Sequence, residues 1–181
     1  PWDALGRYDA PLDPPETFEV YPNRDSIPFM EEYGFEDGWK VKDFVRGTLR
    51  LNGWAEAWKD IFATVETADD AALSKLADDL LAENAYDEGE PDRVVLCVSL
   101  KAEKDGEAVW HKTWVMDAWG DERGLAMGRL VSVPVSLAIE AVLNREIAPG
   151  VSAAPSDPKL VTRWLDEVQV LAQRLMRVDL A

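Results

Sequence analysis

An α+β domain, with helices packed on a mixed or antiparallel β-sheet, is the fold class this sequence predicts, and three observations carry it. Residues 93–103 and 107–118 are two β-favouring runs separated by Lys104-Asp105-Gly106, and Asp-Gly at such a junction is a hairpin signal. Other stretches carry apolar residues at helical spacing, interleaved with strand candidates. A G-x-G-x-x-G turn, which a parallel dinucleotide-binding unit needs between strand and helix, is missing.

Along the chain, residues 1–16 carry four prolines and no hydrophobic period, so they read as an extended lead-in from something upstream. The folded domain is expected over residues 17–181. Residues 17–21 alternate apolar and polar side chains, as a short strand does. Asp25 is a candidate N-cap, with Pro28 in the first turn, for a short helix to Tyr33 that Gly34 ends. Residues 39–50 favour strand. Asn52-Gly53 follows, and then Trp54, Trp58, Ile61, Phe62 and Val65 outline one amphipathic helix. Ala72, Leu73, Leu76, Leu80 and Leu81 outline a second, more acidic one.

After the acidic loop 87–92 and the hairpin, residues 124–143 are apolar nearly all round. A helix buried on most sides is expected there, kinked or restarted at Pro134. Asp157 and Pro158 supply an N-cap and first-turn proline for a last helix with apolar positions at Leu160, Val161, Trp164, Leu165, Val168, Leu171 and Leu175.

Composition narrows the function. The chain has 181 residues and a net charge of −16, which would repel phosphate backbones and anionic lipid surfaces, so neither a nucleic-acid nor a membrane partner is expected. No uninterrupted run of about 18 apolar residues and no basic, apolar leader is present. The lone Cys97 lies inside an apolar run; it reads as a small buried side chain and suits a reducing cytoplasm. The lone His111 sits in a strand-like stretch with no Cys or second His to share a metal, so no metal site is expected.

Two segments carry candidate chemistry: Tyr21-Pro22-Asn23-Arg24-Asp25-Ser26, and Val45-Arg46-Gly47-Thr48-Leu49-Arg50. On a strand, Arg46, Thr48 and Arg50 share one face, and successive members of such a row stand about 7 Å apart. Guanidiniums on one such face can grip carboxylates, with Asn23 and Arg24 at the neighbouring strand-to-helix junction and the helix-start N–H groups adding to the site. The same arginines could equally pair with some of the 35 acidic residues.

The pattern N-R-D-S followed by R-G-T-L-R and a Gly-Trp helix start resembles the substrate domain of the saccharopine dehydrogenase (saccharopine reductase) family. Gly124-Leu125-Ala126-Met127-Gly128, Pro134, Ile147, Pro149-Gly150-Val151 and Pro155 resemble that family's Ala-Met helix and the loop after it. The similarity spans about residues 17–175.

The resemblance implies a glyceraldehyde-3-phosphate-dehydrogenase-like C-terminal domain, inserted into an oxidoreductase whose separate Rossmann domain binds NADP. Within this chain no cofactor site is expected. It further implies a homodimer, lysine metabolism, and a substrate of amino-acid type with several carboxylates and a secondary amine, anchored by Asn23, Arg24, Arg46, Thr48 and Arg50. The isolated chain is then expected to be inactive.

Asp25 and Lys42 are local proton-acceptor candidates, but no catalytic acid or base is assigned. Leu51 stands where an aromatic residue is usual, and Arg145-Glu146 replaces a glycine-containing turn. Relatives that act on carboxynorspermidine or lysine keep the substrate open, and a non-catalytic dimerisation or amino-acid-binding module is the alternative.

Overall fold

The computed structural model describes residues 4–23 and 25–180 and divides into two compact units. The first unit comprises Pro1–Ala10 and Pro15–Glu90, and the second comprises Pro11–Pro14 and Pro91–Ala181.

The first unit is built on a three-stranded antiparallel sheet in the order β1(Gly6–Ala10), β2(Glu16–Pro22), β3(Gly47–Leu51). The segment read as a lead-in therefore contributes a strand. Its residues alternate, with Tyr8 and Ala10 turned to the same side as Phe18 and Arg7 and Asp9 to the other, a pattern too brief to stand out among prolines. Ala10 and Phe18 are buried on the apolar side.

Only the end of the 39–50 run is strand. Residues before Gly47 are drawn into aromatic packing instead: Phe44 meets Tyr33 at 5.8 Å and Phe35 at 5.1 Å between ring centroids. The expected helix from Asp25 is one turn, α1(Phe29–Glu32). Asp25 does not cap it; its carboxylate accepts from the Ile27 N–H, two residues on, and so closes a local turn.

The Trp54–Val65 helix is broken into α2(Trp54–Ala57) and α3(Lys59–Thr67), with Trp58 at the break. Rings explain it: Trp54 packs on Tyr21, Trp58 and Phe62, and serving all three turns the chain at Trp58. The acidic helix follows as α4(Asp70–Glu83), whose N-cap Asp69 accepts from the Ala72 N–H.

The second unit holds the hairpin, β4(Arg93–Lys104) and β5(Glu107–Trp119), joined by β6(Arg174–Asp179) in one antiparallel sheet. At the hairpin tip Asp105 and Gly106 both have positive φ, 54° and 87°, the geometry a two-residue turn requires. Two helices, α5(Ala126–Leu143) and α6(Pro158–Leu171), belong to this unit, and its core joins Met116, Ala118, Ala126 and Ala172 to Val94, Leu130, Val168 and Leu175.

Three expectations change here. The last helix ends at Leu171, because Leu175 is paired with Met116 on β6 and fills the core from a strand. Cys97 is half-buried, since β4 is covered only towards its start.

Helix α5 is not enclosed on most sides. Only Ala126, Arg129 and Ala141 are buried, while Met127, Val131, Val135, Ile139 and Val142 form an outward stripe, each at least 54% exposed. By length and composition α5 could cross a bilayer, because Arg129 and Glu140 are its only charged residues. Its buried residues instead pack into the second unit, where Arg129 is bound by backbone carbonyls and Asp121.

Candidate functional site

The register places the candidate residues on the polar face of the first sheet. Glu19 lies opposite both Arg7 and Arg50, and Tyr21 lies opposite Thr48, so Arg7, Glu19, Tyr21, Thr48 and Arg50 share one side. Arg46 immediately precedes β3. Its backbone N–H is anchored on the buried Ser26 hydroxyl at 3.0 Å, and its carbonyl accepts from the Asn23 N–H at 2.7 Å. These two bonds join the N-R-D-S segment to the start of R-G-T-L-R. Gly47 allows the approach, because a Cβ there would stand 2.8 Å from the Val20 Cγ2 atom.

Aromatic rings support the guanidiniums. Arg46 lies over the Phe29 ring at 3.8 Å from its centroid. Arg50 sits 5.9 Å from the Tyr21 ring and 5.6 Å from the Trp54 ring, and it donates one hydrogen bond to the Tyr21 hydroxyl at 3.2 Å. Tyr21 and Trp54 are themselves stacked at 5.3 Å.

Among the described residues, neither arginine forms an ion pair with a carboxylate, although the chain carries 35 acidic residues. The carboxylates on this face are held by neutral donors. Glu19 accepts from the N–H groups of Gly53 and Ala55 at 3.0 and 2.7 Å, and Asp9 accepts from the Thr17 hydroxyl at 2.6 Å. Both arginines thus keep donors available for an external anion.

Arg24 lies outside the described residues. Asn23 is exposed and Thr48 half-buried beside Arg46 and Arg50. The expected contribution from N–H groups at the start of α1 is not available: Ile27 and Phe29 spend theirs on Asp25 and on the Ser26 carbonyl, and the helix is a single turn. Sequence reasoning missed Tyr21 and Trp54 as supports and Arg7 as a third cation. Period-two alternation back from Tyr21 through Glu19 could have found Arg7 only once the β1–β2 pairing was known.

No Rossmann-like parallel sheet occurs among the described residues. All strand pairs are antiparallel. In the glycine-containing segment after β5 the Asp121 carboxylate is taken by Arg123 and Arg129, and the N–H groups of Ala126 and Met127 at the start of α5 are taken by Asp92. His111 is engaged with Ser99 at 3.0 Å, and no cluster of three potential metal ligands occurs among the described residues.

Fold and site together define an α+β domain with an arginine-bearing sheet face and only antiparallel strand pairs among the described residues. The chain belongs to the saccharopine dehydrogenase C-terminal domain family, whose family model matches residues 3–170. It is therefore a domain of an oxidoreductase family. No curated protein matches the sequence.

Proposed function

We propose that this chain is the substrate-gripping part of an NADP-dependent oxidoreductase acting on the CH–NH bond of a secondary amine derived from amino acids, as in lysine metabolism. The observation that carries the reading is the pair of guanidiniums, Arg46 and Arg50, supported on rings and without an ion pair among the described residues in a chain of net charge −16. Such groups fix a carboxylate-bearing ligand bidentately and so orient its reacting bond. The nucleotide and the hydride chemistry belong to a domain outside these residues. Asn23 and Thr48 belong to the same grip, and Arg24 is assigned to it from the sequence motif alone.

The test is substrate kinetics of the enzyme that carries this domain, with calorimetric titration of saccharopine, lysine, glutamate and carboxynorspermidine. Arg46→Gln and Arg50→Gln should each lower kcat/KM about tenfold to a hundredfold, the weight of a charge-assisted hydrogen bond. Unchanged kinetics in both variants would refute the grip.

A second reading, assembly into a homodimer, is favoured by the uncharged outward stripe of α5. Sedimentation of the chain at micromolar concentration tests it, and a monomer there counts against assembly.

A further inference from the structure

We infer that Arg7 is a second anion anchor, forming with Arg50 a two-ended site for ligands whose two anionic groups lie roughly 10 Å apart, as in a medium-length dicarboxylate. This rests on the reading that the sheet face takes carboxylates, and it adds a residue and a spacing to it.

Arg7 and Arg50 stand opposite Glu19 from its two sides, so they occupy one row across the three strands. Neighbouring strands are about 4.8 Å apart, so the Arg7 and Arg50 backbones stand roughly 10 Å apart, with the Arg7 head leaning across the face to Asn52. Arg7 is exposed, donates one hydrogen bond to the Asn52 side-chain oxygen at 2.8 Å, and among the described residues has no carboxylate partner. Glu19 is the carboxylate that would neutralise both arginines, but its oxygens are turned to the Gly53 and Ala55 N–H groups. One guanidinium is thus held by an amide and the other by a phenol, each with most of its donors unspent. A diacid laid across the row would meet a cation at each end.

The experiment is an NMR titration of the 181-residue chain with propionate, succinate and azelate. Azelate, which can span the row, should bind about tenfold more tightly than the other two, the gain expected from one added charge-assisted contact. Arg7→Gln should bring azelate down to the succinate level and leave succinate and propionate unchanged. Asn52→Ala, which frees Arg7 without removing its charge, should cost azelate severalfold.

Arg50→Gln should weaken all three acids. If azelate shows no preference, or keeps it in Arg7→Gln, the second anchor is wrong while the carboxylate reading stands. If none of the three acids binds, both fall.

Discussion

Asp92 shows how a single buried carboxylate organises the second unit. Its two oxygens accept from the N–H groups of Ala126 and Met127 at 2.7 and 2.8 Å, so a residue far back in sequence caps α5. Burial pushes its pKa up, but these N–H bonds and the Arg129 charge outweigh that and hold it below the usual value. Replacing it by Ala strands both N–H groups, and Asp92→Ala should cost about 1–3 kcal/mol in denaturant unfolding.

Next to it, Asp121 is held at about 2, first by the Arg123 side chain and then by the Arg123 N–H, against burial and with the charges of Arg123 and Arg129 added. The folded pKa is below the ordinary 3.8, so the carboxylate's stabilisation is complete above 3.8 and is lost as pH falls through about 2. Asp121→Asn should therefore melt earlier than the parent at neutral pH, with the gap closing as pH falls across that window in thermal scans.

At the scale of the element, β3 depends on one missing side chain. Gly47→Ala would drive a Cβ against the stiff, branched Val20, which should cost about 1–3 kcal/mol and displace Arg46. Its diagnostic is a rise in KM for the carboxylate ligand together with a lower melting temperature. The hairpin is the element most legible from sequence. Lys104-Asp105-Gly106 sits between two β-favouring runs, and local turn chemistry is enough to place both strands within a residue or two.

The α2–α3 pair was half legible. Apolar spacing located the helical residues but not the break at Trp58, whose ring packs on Trp54, itself stacked on Tyr21 from β2. Residues 39–46 misled for a related reason: β-favouring side chains found an aromatic cluster and not a strand partner.

Across the whole molecule, the two sheets gather different chemistry. The first unit carries the arginine face, and the second carries α5 with its exposed stripe. If copies associate through α5, Val131→Asp with Val135→Asp should leave a monomer in sedimentation without lowering ligand binding by the first unit.

The family and the shared face of Thr48 and Arg50 were legible because short motifs and side-chain alternation are local properties. So were the interleaved helices and the hairpin. Local pattern also showed that residues 124–143 form an apolar helix, but could not say which of its faces would find partners. Only the tertiary structure decided that Arg46 and Arg50 form no ion pair among the described residues, that Glu19 is diverted to backbone N–H groups, and that Arg7 joins the row of Glu19 and Arg50. Those outcomes depend on strand register and on competition among distant donors, and neither is written in any local stretch of sequence.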